Sequence, residues 1–291
     1  MRYEGPIYRP PSEAYSLLVQ ATVGCPHNKC TFCMVYKQGP KFKVRPVEEI
    51  VADLETARQR YGAMVRSLFL PAGNTIAMPT ASLIAVLEAA WRIFPSLSRV
   101  TVYGSSKYIL EKGPDDLKRI ARAGLTRVHV GLESGDDEVL RRIKKGAAMQ
   151  EQITAGGMLR EAGIENSSYV ILGIGGKART REHALHTAKA LNAIAPDFVR
   201  LRTLVPKVNT PLLKEVERGD FEMLGPHEVL QETRQLIESL EGETEITSDH
   251  YTNYIDLRGR LPGDKGLLLK KIDQALELEE SRFRPFFVGT E

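Results

Sequence analysis

Between Tyr15 and Leu204 the hydrophobic pattern switches repeatedly between two periods, and this alternation limits the fold more than any other feature. Short apolar runs recur at Tyr15–Val23, Arg66–Pro71, Arg99–Tyr103, Arg127–Leu132, Ser168–Leu172 and Phe198–Leu204. Between them lie stretches with helical spacing. Pro46 opens one that repeats Val47, Ile50, Val51 and Leu54 on one side, and Thr80–Phe94 repeats Leu83, Ile84, Leu87, Ala90 and Trp91. Further helices are predicted over Pro114–Ala123, Asp136–Lys145 and Thr180–Ala195. Strands alternating with helices build a parallel sheet with helices outside it. Six such units in about 190 residues fall short of the eightfold barrel, which needs about 250. The expected class is therefore α/β, a partial (β/α)6 TIM-like barrel over residues 1–206. After Pro206 the rhythm stops. Helical pieces at Thr210–Arg218, Pro226–Leu240 and Lys265–Glu280, with a loop-rich stretch at Thr247–Tyr254, predict a mostly helical C-terminal extension, residues 207–291, covering the barrel.

The charge balance narrows the partners. The 291 residues carry 40 Lys and Arg against 37 Asp and Glu, a net +3 with both signs interspersed. That gives no electrostatic argument for a polyanionic partner, although a local basic patch stays open and nucleic acid is not excluded. The N-terminus has no apolar signal core and no apolar run reaches membrane length, so no membrane partner is expected.

The chain has three cysteines, Cys25, Cys30 and Cys33, and all fall in the segment Gly24–Tyr36, on the turn leaving the first predicted strand. An odd number packed into one loop is no disulfide framework, and such a site calls for a reducing cytoplasm. Three thiolates in one loop can hold an iron–sulfur cluster and leave one iron without a protein ligand. Two other readings stay open: structural zinc with His27 as a fourth ligand, or buried thiols with no metal.

Polar residues gather where the other strands end, which in α/β barrels is the catalytic face. Gly73 and Asn74 follow the second strand, Ser105 the third, Glu133 and Ser134 (in Gly131-Leu-Glu-Ser-Gly135) the fourth, and Gly173 the fifth. A carboxylate continuing an apolar strand is costly unless paired. Arg200 and Arg202 lie two apart on the sixth strand and so share one face, where a buried guanidinium needs an anion; an internal pair with Glu133 is the alternative. In the extension, Asp249 and His250 are candidates for substrate contact or proton transfer.

Cysteines after the first strand, Phe32 just before the last of them, and the Gly131–Gly135 segment together resemble the radical S-adenosylmethionine (radical SAM) enzymes. Here four residues rather than three separate Cys25 from Cys30. The resemblance implies that Cys25, Cys30 and Cys33 hold a [4Fe–4S] cluster. It places Phe32 near the adenine of S-adenosylmethionine (SAM), and Gly73 with Asn74 at its amino group, as a partial match to a Gly-Gly-Glu motif. It places Glu133 and Ser134 at the ribose and methionyl moiety and Gly173 at the adenine. From their own chemistry, Ser105 could hold SAM or substrate, and the anion that Arg200 and Arg202 need would be the SAM carboxylate or an acidic substrate. A low-potential donor of flavodoxin or ferredoxin type would reduce the cluster, SAM would be cleaved reductively, and a 5′-deoxyadenosyl radical would abstract hydrogen from a small-molecule substrate. Within the family, the His27–Cys33 loop and the Ser248-Asp-His250 segment resemble iron–sulfur oxidoreductases of a coproporphyrinogen-oxidase-like group, which does not establish a porphyrin substrate. The rival expectations are a radical enzyme modifying tRNA or another macromolecule, and a zinc or iron–sulfur protein without catalysis.

Overall fold

The computed structural model describes residues 1–35 and 39–290, so Tyr36, the last residue of the cysteine segment, lies outside it. In chain order the elements are β1 (Leu17–Leu18), β2 (Thr22–Val23), β3 (Lys43–Val44), α1 (Val47–Tyr61), β4 (Ser67–Leu70), α2 (Thr80–Ile93), β5 (Arg99–Gly104), α3 (Ser106–Arg122), β6 (Arg127–Glu133), α4 (Asp137–Arg142) and α5 (Met149–Glu161). They continue with β7 (Glu165–Leu172), α6 (Gly176–Ile194), β8 (Phe198–Thr203), α7 (Pro211–Arg218), α8 (Pro226–Ser239), β9 (Thr244–Thr247), β10 (Arg258–Leu261) and α9 (Lys265–Leu276). Contacts divide the chain into two compact units. The first comprises Met1–Asn28, Val35–Val130 and Gly157–Asn166, the second Lys29–Met34, Gly131–Gly156 and Ser167–Glu291.

In the first unit β1, β4, β5 and the start of β6 pair in parallel, with Leu17 opposite Leu68, Leu68 opposite Val100 and Val102 opposite Val128. Parallel neighbours need a crossover, and α2 and α3 supply it. The first strand is shorter than its apolar run predicts. Buried Gln20 exchanges hydrogen bonds with the backbone of Glu4 (2.8 and 2.9 Å), and Arg45 donates to the Gln20 carbonyl at 2.6 Å. The ladder is thereby interrupted, and Thr22 and Val23 pair instead with Val44 and Lys43, antiparallel.

In the second unit β7, β8 and β9 run parallel, with Tyr169 opposite Arg200 and Arg200 opposite Thr247, while β10 returns antiparallel to β9. Val170, Leu172, Val199, Leu201 and Ile246 share one core with residues of α6, α8 and α9. Side chains alternate along a strand, so Ser167, Tyr169, Arg200, Arg202 and Thr247 occupy the opposite face of this sheet. Residues 207–291 belong to the same unit as 167–206. They contribute two strands besides three helices, which the helical reading of this segment had omitted. Helix α5 was missed as well, since its Gly156-Gly157 pair lowers helix propensity. A Cβ at Gly156 would come within 2.6 Å of Ile194, so close packing explains that glycine. Among the described residues no helix is long and apolar enough to cross a membrane.

Candidate active site

In the first unit the turn directly after β4 is Pro71-Ala-Gly-Asn74. Its Gly73 N–H donates to the carbonyl of Gly24 at 3.2 Å, and the Asn74 amide donates to Cys25 Sγ at 3.4 Å, so Gly73, Asn74 and Cys25 are brought together. The turn is strained: Ala72 sits at φ 105°, in the region that favours glycine. Position 24 calls for glycine on two counts: its φ is +71°, and a Cβ there would meet the Pro40 carbonyl at 2.7 Å. Asn74 is 5% exposed, and its Oδ1 is buried with no hydrogen-bond partner. Ser105 stands between β5 and α3, and its hydroxyl makes no capping bond. Tyr108, one turn on, was not anticipated; burial, then the charge of Cys25 and that of Glu111, push its pKa up to about 12.

In the second unit the segment between Cys30 and Cys33 is tied down by its backbone. Thr31 donates to the Ile143 carbonyl at 2.9 Å and accepts from Leu212 N–H at 3.1 Å. Phe32 packs against the cluster of Val139, Leu140, Ile143, Ile174, Leu204, Leu212 and Phe221. None of the three cysteines forms a disulfide, and all are half-buried. Among the described residues, no three or more His, Cys, Asp or Glu side chains are grouped as a single metal ion requires.

At the end of β6, Glu133 is 9% exposed and accepts from Lys145 at 2.8 Å. The alternative pair with Arg200 is not formed, because Arg200 is turned to Ser167 Oγ (2.8 Å) and Thr247 Oγ1 (3.2 Å). The following turn is held by buried polar groups from α6. Ser134 Oγ lies 2.8 Å from His183 Nδ1, and Gly135 N–H donates to Thr187 Oγ1 at 2.9 Å. Asp136 caps α4 and takes Arg179 at 2.8 Å; burial opposes its ionisation, but the bonds from Arg179, Val139 N–H and His186 hold its pKa at about 2.

The network continues to the fifth-strand turn. Gly173 N–H donates to Glu232 Oε1 at 2.6 Å, Thr180 Oγ1 donates to Oε2 at 2.6 Å, and His183 Nε2 lies 3.6 Å from Oε1. Glu232 belongs to α8, so the extension holds the Gly173 turn. Ser134 and Gly173, read separately from the sequence, are thus joined through His183 and Glu232. Lys145, His183, Thr187 and Glu232 were not read from the sequence. The one available signal was Glu232 itself, a carboxylate on the apolar stripe of Val229, Leu236 and Ile237. Arg202 stacks over Tyr169 at 5.1 Å, and the turn bearing Asp249 and His250 follows β9. Asp249 is exposed. A cavity of about 450 Å³ beside α4 is lined by Glu138, Arg142 and Arg179, among others, and by none of the residues read from the sequence.

The residues present fit a cluster and SAM. The donor set is three thiolates in nine residues, one of them receiving an N–H···S bond of the kind that tunes cluster sulfurs. The orphaned Asn74 Oδ1 is an acceptor waiting for a donor such as an ammonium group.

Comparison with known proteins gives the same direction. The model of the radical SAM superfamily matches residues 19–191. Among curated proteins, the heme chaperone HemW of Bacillus subtilis (strain 168) is 23% identical over 207 residues, 67% of this chain and 52% of the relative. The tRNA uridine(34) acetyltransferase of Methanocaldococcus infernus is 23% identical over 128 residues, 42% of this chain and 24% of the relative. The chain thus spans about half of one relative's length and a quarter of the other's. Among solved structures, coproporphyrinogen III oxidase (HemN) from Escherichia coli, described as a radical SAM enzyme, has a TM-score of 0.57 at 19% identity, over 77% of this chain and 52% of that one. Methylornithine synthase (PylB) has a TM-score of 0.55 at 16% identity, over 91% and 83%. These likenesses show the fold, a partial TIM-like α/β barrel.

Proposed function

The chain belongs to the radical SAM superfamily, and from that premise we propose that it is an enzyme cleaving SAM reductively to abstract hydrogen from a small-molecule substrate. Its cofactors are a [4Fe–4S] cluster and SAM. When bound, they supply the radical chemistry; the protein supplies ligands, orientation and exclusion of water.

Cys25, Cys30 and Cys33 would hold iron. The Asn74 amide, which donates to Cys25 Sγ, would help fix that ligand, and its Oδ1 would be an acceptor for the SAM ammonium. That one side chain, buried, bonded to a cysteine sulfur and left with an unused acceptor, is the observation that carries the reading. Glu133 and the Ser134 turn orient the ribose and methionyl groups. Gly173, pinned by Glu232, offers backbone to the adenine. The chemistry needs a reductant, for which we propose a low-potential flavodoxin or ferredoxin, and a reducing cytoplasm as its compartment.

The test is direct. Anaerobically reconstituted protein given SAM and dithionite should release methionine and 5′-deoxyadenosine. A protein that takes up iron yet releases neither would be a binding protein without catalysis, and this reading would fall.

A further inference from the structure

The face of the β7–β8–β9 sheet turned away from the helices carries two guanidinium groups, and neither has a carboxylate. Arg200 is 8% exposed and meets the hydroxyls of Ser167 and Thr247 and the ring of Phe198, 5.2 Å away. Arg202 lies over the Tyr169 ring at 5.1 Å. No ion pair involves either arginine among the described residues. Removing a cation from water without an opposite charge is expensive.

The turn that follows β9 adds donors to the same place. Asn253 clasps the end of β8, accepting from Thr203 N–H at 2.7 Å and donating to the Leu201 carbonyl at 2.9 Å. His250 is thereby held within electrostatic reach of Arg202 and Lys207; burial and these two charges push its pKa down to about 4. His250 Nδ1 lies 2.7 Å from the Thr252 hydroxyl and 3.3 Å from the Thr252 N–H; with both groups donating to Nδ1, the proton of the neutral ring sits on Nε2. Arg284 reaches the turn from the chain's end, donating to the Thr252 carbonyl at 2.7 Å, and its Nη2 is buried without an acceptor. The groups converging here are Arg202, Lys207, Arg284 and an imidazole N–H. The exposed Asp249 of the turn and Glu245 of β9 are carboxylates of the same segment, and among the described residues neither forms an ion pair with Arg202 or Arg284.

We propose that this donor-rich end of β8 binds an anionic group of the substrate, a carboxylate or phosphate, with Arg202 as its countercharge and His250 Nε2–H as a hydrogen-bond donor. The inference rests on the proposed function, since it names the class of substrate that enzyme accepts. A guanidinium forks onto either anion, and a neutral imidazole donates to it without titrating away near pH 7.

Two probes separate the sources: succinate for carboxylates and inorganic phosphate for phosphates. Titrated calorimetrically into reconstituted full-length protein saturated with SAM, at least one should bind; binding that SAM abolishes would give Arg202 to the cofactor's carboxylate and overturn the inference. Arg202→Gln should weaken it about tenfold, the loss of one charge-assisted contact, while Arg202→Lys restores part of the affinity. His250→Phe, which removes the Nε2–H donor, should weaken binding in the same direction, so the test does not depend on one variant folding. Preference for succinate or for phosphate assigns the substrate's anion. Absence of binding by both probes, or equal affinity in Arg202→Gln and His250→Phe, overturns the inference. SAM cleavage by the unmodified protein is measured separately: cleavage without anion binding sinks this site alone, whereas anion binding without cleavage sinks the proposed function.

Discussion

Glu232 offers the sharpest test of how the extension supports the site. Truncation to alanine strips the acceptor from Gly173 N–H and from Thr180 Oγ1, both at 2.6 Å, and removes the carboxylate beside His183. A buried donor left unsatisfied costs about 1–3 kcal/mol, so two of them with the void should cost about 3–5 kcal/mol. At about 2–4 °C per kcal/mol, the melting temperature of Glu232→Ala should fall by roughly 10 °C. Glu232→Gln keeps one oxygen for Gly173 and a donor for Thr180, and should cost about 1 kcal/mol. Chemical denaturation measures both. Equal losses in the two variants would refute the reasoning, because charge rather than hydrogen bonding would then hold the turn.

The pH dependence of the same pair gives a second reading. Burial raises the pKa of Glu232, against the charge of His183 and the bonds from Thr180 and Gly173. The folded protein therefore keeps this proton to higher pH than the unfolded chain. The contribution is fully present below the unfolded value, near 4.5, and is lost as pH rises through the folded one. Glu232→Gln cannot ionise, so its stability relative to wild type should improve as pH rises from about 4.5. A pH-independent difference would mean that the carboxyl is not protonated more readily in the fold.

Four further outcomes are expected. Cys30→Ala should lose bound iron and 5′-deoxyadenosine production, and production by that variant would refute the cluster ligands. Glu133→Ala leaves Lys145 without the partner at 2.8 Å and should weaken SAM binding about tenfold, a single charged contact, with iron content unchanged; equal affinity in equilibrium dialysis removes Glu133 from the site. Gly135→Ala would put a Cβ 2.3 Å from the His186 carbonyl oxygen and should cost about 1–3 kcal/mol in a denaturant melt. In Glu13, burial opposes ionisation, but bonds from His129 and Ser16 and the charges of His129 and Arg99 hold the pKa at about 2. Its contribution, on the order of 3 kcal/mol, should vanish as pH falls from 4.5 to about 2, and Glu13→Gln should flatten that acid limb.

The parts of the fold that a local period determines were legible. Helices α1, α2, α6, α7 and α8 and strands β4, β5, β6 and β8 lie within a few residues of the runs that predict them. Strands β9 and β10 were not legible, because Thr244-Glu-Ile-Thr247 and Arg258-Gly-Arg-Leu261 are four residues each. Too few apolar positions exist there to establish a period, and pairing with β8 makes the first of them a strand. The site divides along the same line. Cysteines, Glu133 and Gly173 could be proposed because they follow apolar runs in sequence order. Their partners Lys145, His183 and Glu232 could not, since each is delivered by packing of a helix or loop that gives no sign of its destination.

The backbone of Glu133 supplies a physical argument for the cofactor role proposed for it. Its φ is 65°, a left-handed conformation that costs an L-residue about 1–2 kcal/mol and glycine almost nothing. Its carboxylate is 12% exposed and draws Lys145 into near-burial at 9%, a second cost, only partly offset by their mutual attraction. A chain selected for stability alone would place glycine here, relieve the backbone and leave both charges in water. Retaining a side chain therefore makes sense where the carboxylate meets something the isolated chain lacks. The reasoning makes Glu133→Gly the informative variant: it should match or exceed the stability of Glu133→Ala while losing SAM affinity to the same extent. A glycine variant less stable than the alanine one would show that the left-handed turn is not strained.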